Sequence, residues 1–248
     1  MNDELWIWGR HPVLEAIRAG YARVVLVARD REHTRVLNEI RSEASAQKIS
    51  VLEVSLDEVS RLAPGQSTQG VAAQVARPRV LDLEWALNLS ESREDPAFLL
   101  VLDQIQDPHN LGALLRTADA AGVGAVVVPE RRSASITGTV VKTSAGAASH
   151  LPFVEVTNLS RALETIRGRG IWTVGLDGSA DENLFELDLK MPLALVVGSE
   201  GSGLRRLTRE RCDFVARLPM LGRVESLNAA VAGSIAMYEV IRQRTALA

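Results

Sequence analysis

Short runs of β-branched and aliphatic residues alternate along this chain with stretches in which apolar residues recur at helical spacing. The runs predict strands at 24–28, 50–54, 71–75, 98–103, 125–129, 171–177, 193–199 and 213–219. Such alternation is typical of right-handed crossovers, and therefore of a mostly parallel sheet with helices on both sides. We expect an α/β protein whose ligands bind beyond the carboxyl ends of its strands.

Two helices have distinct sequence signals. Asp107 is placed to cap a helix that starts with Pro108, carries apolar residues at 111, 114, 115 and 118, and stops near Gly122. The last predicted helix begins at Ser226, and its apolar face is formed by Leu227, Val231, Ile235, Tyr238 and Ile241. This face is suited to packing either against a partner subunit or against the protein's own sheet.

The length of 248 residues predicts two compact units, and 46% hydrophobic with 24% charged residues is the composition of a globular protein. We expect one unit at residues 1–77 and the other at 98–248. The stretch 78–97 is bounded by prolines and holds an excess of acidic residues, so it is the predicted linker. Within this linker, residues Leu81 to Leu89 are compatible with a short helix.

Several function classes are disfavoured by what the chain lacks. Cys212 is the only cysteine, so neither an internal disulfide nor a cysteine zinc site is expected, and a cytoplasmic location is favoured. The longest small or apolar run, 120–128, is shorter than the ~18 residues of a membrane span. The four histidines, at 11, 33, 109 and 150, share no helical face, so no metal site is predicted.

Charge is unevenly distributed although the formal net charge is only -3. Six arginines, at 205, 206, 209, 211, 217 and 223, are opposed in that interval only by Glu210 and Asp213. This cluster is equally consistent with a solvated helix face and with a surface that contacts phosphate groups.

A glycine-rich turn, Gly198-Ser199-Glu200-Gly201-Ser202-Gly203, follows a predicted buried strand. The dinucleotide-binding fingerprint needs glycine where Glu200 stands, and a carboxylate there repels a pyrophosphate, so a nicotinamide cofactor is disfavoured. Taken alone, the turn is also consistent with a tight strand-to-helix connection. Taken alone, Arg116 is also interpretable as an exposed surface residue that forms an ion pair with Asp119.

Three segments in order resemble the successive motifs of the SpoU (TrmH) family of RNA ribose 2′-O-methyltransferases, in the SPOUT superfamily. They are LVLDQIQDPHNLGALLRTADAAGV, LALVVGSEGSGLRRLT and ARLPMLGRVESLNAAVAGSIAMYE. The connecting KTSAGAASHLPFVEV is also similar to that family. WGRHPVLEAI and TQGVAAQV resemble the small ribosomal-protein-like (L30e-like) RNA-binding domain that precedes the catalytic domain in 23S rRNA guanosine methyltransferases of the family. Thr68 stands where those relatives commonly have histidine.

The resemblance implies a trefoil-knotted α/β catalytic domain that binds S-adenosylmethionine. The implied cofactor-binding positions are Gly198, Leu218 and Leu227, through backbone groups, together with Gly201, Pro219 and Met220. The implied catalytic residues are Asn110, Arg116, Glu200, Ser226 and Asn228. The resemblance also implies a homodimer. The active site would then lie near the subunit interface, where residues of the second subunit can contribute to it.

Methyl transfer requires the ribose 2′ oxygen to lie near ~3 Å from the methyl carbon and to lose its proton. The family resemblance assigns this step to Arg116, but arginine, with a pKa of about 12.5–13.8, is a poor base at neutral pH. Two interpretations stay open. Either nearby groups transiently relieve Arg116 of a proton, or the cation stabilises the developing alkoxide. Asn110 is expected to position the arginine or the ribose, and Glu200 to orient the loop and pair with Arg116.

The motifs favour an enzyme that methylates a ribose in RNA, with a guanosine of 23S rRNA as the expected target because of the two-unit layout. A tRNA nucleotide is an alternative target. A non-catalytic RNA-binding protein of the same fold is the second alternative, and it predicts loss of the arginine or of the SLN turn. Both are present. A nucleotide-dependent oxidoreductase lacks its glycine fingerprint.

Overall fold

The computed structural model describes residues 5–29, 34–75, 80–91, 95–131, 133–149, 151–201 and 203–245. Its strands are β1 (Leu5–Trp8), β2 (Ala22–Ala28), β3 (Ser50–Val54), β4 (Val71–Val75), β5 (Val80–Leu81), β6 (Phe98–Asp103), β7 (Ala125–Pro129), β8 (Phe153–Val156), β9 (Trp172–Leu176), β10 (Glu182–Asn183), β11 (Leu193–Gly198) and β12 (Phe214–Arg217). Its α-helices are α1 (Arg10–Arg18), α2 (Arg35–Ala46), α3 (Leu56–Arg61), α4 (Leu83–Glu91), α5 (Pro108–Ala120), α6 (Gly138–Thr143), α7 (Leu159–Gly168), α8 (Arg206–Arg211) and α9 (Ala229–Thr245). His33, His150 and Ser202, which the sequence analysis considered, lie outside the described residues.

The chain divides into two compact units, residues 1–78 with 136–150, and residues 79–135 with 151–248. In the first unit the strand order is β1-β4-β2-β3. β2 and β3 are parallel, whereas β4 runs antiparallel to both β1 and β2. β1, β2 and β3 therefore all end at the same edge of the sheet, where the following helices begin.

Residues 136–150 pack with the first unit although they lie between β7 and β8 in sequence. Two glycines make the close approach feasible, because a Cβ at Gly138 would lie 1.9 Å from the Trp6 carbonyl oxygen and one at Gly146 would lie 2.1 Å from the Tyr21 ring. Lys142 Nζ also lies 5.8 Å from the centre of the Trp8 ring. This segment differs from the expected boundaries, in which all of 98–248 forms one unit.

The second unit has an eight-stranded sheet in the order β10-β12-β9-β11-β6-β7-β8-β5, and its strand pairs are parallel. β6, β7 and β11 are buried throughout, as their continuous apolar runs predict for strands covered on both faces. α4 and α7 join one core cluster with Leu99, Val101 and Val196. α5 and α9 pack together, and a Cβ at Gly233 would lie 2.5 Å from Leu114 Cδ2 and 3.3 Å from Val197. The α/β class with a mostly parallel sheet is confirmed.

The eight strands expected from the sequence are present, with ends shifted by at most two residues. Two four-residue strands, β1 and β8, were not expected, because runs this short lack the length that distinguishes a strand from a loop. Residues 80–91 of the predicted linker also differ from expectation. β5 pairs with β8, and Ala86 and Leu87 of α4 are buried in the core of the second unit.

The final helix begins three residues later than expected. Asn228, not Ser226, is its cap, because Asn228 Oδ1 accepts from the backbone N–H groups of Ala230 at 2.9 Å and Val231 at 3.3 Å. Of the expected apolar face, Val231, Ile235 and Tyr238 are exposed within one chain, so the protein's own sheet does not cover them. The buried side of α9 includes four small residues, Ala229, Ala230, Gly233 and Ala236, and at Gly233 the absence of a side chain lets the helix approach α5 closely.

Among the described residues, no helix combines the length and apolar character that a membrane crossing needs. The trefoil threading implied by the family resemblance stays a prediction.

Gly138→Ala tests the packing of residues 136–150 against the first unit. The added methyl group would overlap the Trp6 carbonyl, so we expect the variant to lose about 1–3 kcal/mol of stability by overpacking. Gly168→Ala is the matched control, because nothing lies within 4 Å of a Cβ at that helical position. Differential scanning calorimetry should show a lower Tm for Gly138→Ala and an unchanged or higher Tm for the control. Equal Tm values for Gly138→Ala and wild type would contradict this packing.

Candidate active site

The carboxyl ends of β9, β11 and β12 meet at one edge of the large sheet, because these neighbouring strands are parallel. A cavity of about 390 Å³ opens at this edge, a volume in the range of small-molecule sites. It is lined by Leu176, Asp177, Gly178, Ser179, Val197, Gly198, Ser199, Glu200, Gly201, Gly203, Ala216, Leu218, Met220, Glu225, Ser226, Leu227, Ala229 and Ala232. We call it the strand-end cavity.

The glycine-rich turn after β11 forms one wall of this cavity. Ser199 and Gly203 close the turn with two backbone hydrogen bonds, of 3.1 and 3.0 Å. Glycine is needed at position 198, because a Cβ there would lie 2.3 Å from the backbone carbonyl of Gly203. The turn is therefore held in one shape by backbone contacts and exposes Glu200 at its tip.

An ion pair between the exposed Arg205 and the buried Asp103 anchors the end of the turn to the neighbouring strand. Asp103, the last residue of β6, is fully buried and accepts from Arg205 Nε at 2.6 Å and from the Arg205 backbone N–H at 3.0 Å. Breaking such a pair would leave an uncompensated buried charge. The sequence analysis did not single out this aspartate, because its partner is 102 residues away.

Three polar side chains from three separate motifs meet beside the turn. Asn110 Nδ2 donates to Glu200 Oε2 at 3.3 Å. Asn228 Nδ2 donates to Asn110 Oδ1 at 2.9 Å and to Glu200 Oε2 at 3.2 Å. We call these residues the Asn–Glu–Asn cluster. The three motifs that the sequence analysis singled out thus converge in space.

Helix starts position the two asparagines of this cluster. Asp107 caps α5 by accepting from the backbone N–H groups of His109 and Asn110, at 3.1 and 3.3 Å, as predicted. Asn110 therefore lies in the first turn of α5, and Asn228 caps α9. Thr117 and Ser234 join the two helices through a hydroxyl–hydroxyl hydrogen bond of 2.9 Å.

The other residues implied by the resemblance are distributed as follows. Gly198, Gly201, Leu218, Met220 and Leu227 line the strand-end cavity, as does Ser226, whereas Pro219 is not among its lining residues. Ser226 is exposed and precedes the helix cap by two residues.

Arg116 is not joined to the Asn–Glu–Asn cluster within one chain. Its side chain is exposed, and it has neither a hydrogen bond nor an ion pair in the part of the chain that the structure describes. The expected partner, Glu200, accepts from Asn110 and Asn228 instead. Six helical residues separate Arg116 from Asn110, which places it about 9 Å further along α5 and on another face.

Asp177 lines the cavity and was missed by the sequence analysis. Burial by itself would raise the pKa of its carboxyl group, but hydrogen bonds from Ser179 and the nearby Arg209 guanidinium outweigh burial and hold the pKa below its usual value. Asp177 Oδ1 accepts from the Ser179 N–H and hydroxyl at 2.8 and 2.6 Å, and Oδ2 lies 3.3 Å from Arg209 Nε. Its place as the last residue of a predicted strand is the signal that would have found it.

The strand-end cavity has a negative lining. Asp177, Glu200 and Glu225 contribute carboxylates, and no lysine or arginine is among the described residues that line it. A cavity of this kind favours a cationic ligand over an anionic one.

The arginine cluster after the turn is largely neutralised by partners inside the same unit. Four of its arginines pair with carboxylates: Arg205 with Asp103, Arg206 with Glu210, Arg209 with Asp177 and Arg211 with Glu164. Arg217 donates to the Ala180 carbonyl oxygen. The arrangement therefore favours structural roles for most of this cluster over a continuous phosphate-binding surface.

Comparison with known proteins finds two family models. Residues 97–238 match the SpoU rRNA Methylase family, and residues 6–81 match the model for RNA 2'-O ribose methyltransferase substrate binding. The chain is 47% identical over 245 residues to the 23S rRNA (guanosine-2'-O-)-methyltransferase RlmB of Pseudomonas aeruginosa, covering 97% of each chain. It is 44% identical to RlmB of Xylella fastidiosa strain 9a5c, also with 97% of each chain covered.

A solved structure of a SpoU methyltransferase also resembles this chain in fold. The SpoU methyltransferase AviRb from Streptomyces viridochromogenes, crystallised in complex with the cofactor AdoMet, has a TM-score of 0.79 and 28% sequence identity to this chain. The likeness covers 98% of this chain and 91% of AviRb.

Proposed function

Because the chain belongs to the SpoU rRNA methylase family, we propose that it transfers a methyl group from S-adenosylmethionine to the ribose 2′-hydroxyl of a guanosine in 23S rRNA. The single observation that carries this proposal is the convergence of three distant motifs in the Asn–Glu–Asn cluster, at the mouth of a cavity of suitable size. The RlmB relatives support the choice of RNA and of nucleotide. Since 23S rRNA is a cytoplasmic substrate, we place the protein in the cytoplasm.

The strand-end cavity fits the cofactor in size and in charge. When bound, S-adenosylmethionine supplies an electrophilic methyl group on a positively charged sulfur. The backbone of Gly198, Leu218 and Leu227 offers main-chain hydrogen-bonding groups, and Gly201 and Met220 contribute to the walls. Pro219 does not line the cavity and would act only by holding Leu218 and Met220 in place. Asp177, Glu200 and Glu225 supply negative charge around a cationic ligand.

The residues of this chain bind, orient and stabilise the reacting groups. Asn110 and Asn228 hold Glu200 in place, and together with Ser226 they form the polar wall that receives the ribose. Arg116 stabilises the alkoxide character that develops on the 2′ oxygen, since an exposed guanidinium without a carboxylate partner in the described residues is free to meet that charge. The bound cofactor would supply the methyl group to the 2′ oxygen, and the hydroxyl proton would pass to water.

The first unit is proposed to bind the RNA, because residues 6–81 match the substrate-binding model. This assigns recognition of the rRNA and methyl transfer to different parts of one chain. The alignments with the two RlmB relatives span 97% of each chain and therefore include both units of this chain.

We propose a homodimer formed through the exposed side of α9. Val231, Ile235 and Tyr238 recur at helical spacing with 47%, 38% and 54% of their surface exposed. Leu221 and Val224, on the loop that leads into α9, are 99% and 65% exposed. Contiguous apolar surface of this kind is typical of an interface. Since α9 packs on α5, a second copy seated here would lie against the helix pair that carries Arg116 and Asn228.

Arg116→Ala should abolish methylation while leaving cofactor binding intact. Loss of a cation that stabilises the developing alkoxide predicts a fall in kcat by about 10²–10³-fold. The assay is transfer of tritiated methyl groups to 23S rRNA, with S-adenosylmethionine affinity measured by calorimetry. Arg161→Ala, which removes an exposed arginine of α7, should retain wild-type activity. Near wild-type turnover in Arg116→Ala would refute the assigned role.

Asp177→Asn should weaken binding of S-adenosylmethionine more than binding of S-adenosylhomocysteine. The amide retains hydrogen-bonding capacity but removes a negative charge, so only the sulfonium compound should lose affinity, by roughly threefold to tenfold. Isothermal titration of both compounds measures the difference. Asp181→Asn removes an exposed carboxylate that does not line the cavity and should change neither affinity. An equal loss for both compounds would argue against a charge effect.

Ile235→Glu should convert the proposed homodimer to monomers. A carboxylate placed in the middle of the apolar stripe must be desolvated when the second copy docks, which costs several kcal/mol of association free energy. Light scattering coupled to size-exclusion chromatography gives the mass directly. Leu52→Glu changes a comparably exposed residue of β3 and should leave the dimer intact. A monomeric wild-type protein would rule the proposal out.

A further inference from the structure

Two segments at opposite ends of the first unit's sequence meet at one edge of its sheet. Gly9, between β1 and α1, donates its N–H to the Val71 carbonyl oxygen at 3.1 Å. Gln69 Oε1 accepts from the Arg10 N–H at 3.0 Å, across 59 residues of sequence. Gly9 has no side chain with which to cap α1, so Gln69 takes that place. The segments are WGRHPVLEAI and TQGVAAQV, which the catalytic mechanism does not use.

The backbone at this junction is in a sparsely populated conformation. Gln69 has a φ of 54° and is followed by Gly70 at 76°, while Gly9 has a φ of 98°. A non-glycine residue in the left-handed region costs free energy that the surrounding structure must supply. The result is that the Gln69 side chain is directed toward the start of α1.

A cavity of about 590 Å³ lies at this junction, entirely within the first unit. Its lining residues are Arg10, His11, Val36, Leu56, Ser60, Gln66, Ser67, Thr68 and Gln69. It thus combines a cation, an imidazole, three hydroxyl groups, two amides and two aliphatic side chains, and no aspartate or glutamate is among these described residues. Its charge is the opposite of that of the strand-end cavity.

Arg10 has no acidic partner in the described part of the chain, unlike the arginines that follow the glycine-rich turn. Its Nε is shielded from solvent, and no described acceptor lies within hydrogen-bonding distance. A buried donor without an acceptor carries a free-energy cost, which a ligand that supplies an oxygen would remove. His11, next in the chain, is exposed at the same opening.

We infer that this cavity binds one unpaired ribonucleotide of the RNA substrate, with its phosphate at Arg10 and His11 and its base against Val36 and Leu56. The aliphatic pair gives the base a flat apolar wall, and Leu56 is 40% exposed and available for it. Gln66, Ser67 and Thr68 offer donors and acceptors to a base edge. The inference rests on the proposed function, since it names the part of the RNA that the first unit recognises.

The shape of the site favours an unpaired nucleotide over a duplex. A paired base is stacked and covered on both faces, and its edge is reached only through a groove, so it cannot enter a concave site of this size. Unpaired nucleotides can be splayed out and read on their edges, which is how proteins usually obtain specificity for RNA.

RNA binding by full-length variants tests this assignment. The probes are a fluorescein-labelled unpaired ten-nucleotide RNA of mixed sequence and a blunt-ended RNA duplex of the same length, at one fixed salt concentration because phosphate contacts depend on salt. Arg10→Gln should raise the Kd for the unpaired probe at least fivefold in fluorescence anisotropy. His11→Ala should raise it twofold to fivefold. Neither should change binding of S-adenosylmethionine, measured by calorimetry.

Arg23→Gln is the matched control, since Arg23 is an exposed arginine at the start of β2, at the opposite edge of the same sheet. Its Kd should stay within twofold of wild type. The inference is overturned if Arg10→Gln binds the unpaired probe as Arg23→Gln does, or if the blunt-ended duplex competes as well as the unpaired probe. If Arg10→Gln unfolds at a lower temperature than wild type, His11→Ala decides, because its side chain is exposed. Failure of the proposed function would appear separately, as a wild-type protein that does not bind S-adenosylmethionine.

Discussion

Three hydrogen bonds among Asn110, Glu200 and Asn228 bring together segments that are up to 118 residues apart in the chain. The parallel sheet makes this meeting geometrically feasible, because the loops that follow neighbouring parallel strands emerge at the same edge. It does not by itself determine where each loop points. Local hydrogen bonds determine the direction of each loop: Asp107 caps α5, Asn228 caps α9, and the buried Asp103 anchors Arg205 at the end of the glycine turn. Asn228 both caps α9 and belongs to the cluster. Its side-chain Oδ1 accepts from the first backbone N–H groups of the helix, while its Nδ2 donates to Asn110 and Glu200.

The two cavities show why the net charge of the chain is a poor guide to its ligands. The strand-end cavity is lined by carboxylates without described bases, and the cavity beside Arg10 is lined by bases without described carboxylates. Each suits a ligand of opposite sign, a sulfonium in one case and a phosphate in the other. Where arginines are most concentrated in sequence, from Arg205 to Arg211, they are paired with acids. Local pairing, rather than the number of charges, decides which of them can reach an RNA.

Much of the fold was predictable because buried parallel strands have continuous apolar runs, as in β6, β7 and β11. The short strand β1 was not, since four residues carry too little periodicity. The pattern of α9 left open whether its apolar face packs on the protein's own sheet or against a second subunit. Within one chain Gly233 packs against Leu114, whereas Tyr238 of that apolar face is exposed. For the site, the motifs identified Asn110, Glu200 and Asn228, whereas Asp103 and Asp177 depend on partners in space that no single sequence pattern displays.

One chain satisfies the polar groups of Asn110, Glu200 and Asn228 among themselves, but it leaves two features of the same helix pair without partners in the described residues. One is the Arg116 guanidinium on α5, and the other is the apolar stripe of Val231, Ile235 and Tyr238 on α9. The apolar surface is stabilised when it is covered, and the cation acts more strongly where water is excluded. A second copy docked on α9 would provide both conditions. Burial of the stripe would supply the association free energy, and exclusion of water around α5 would strengthen the electrostatic effect of Arg116. Assembly and catalysis would then depend on the same surface, which explains why a residue assigned to the chemistry stands apart from the cluster in a single chain.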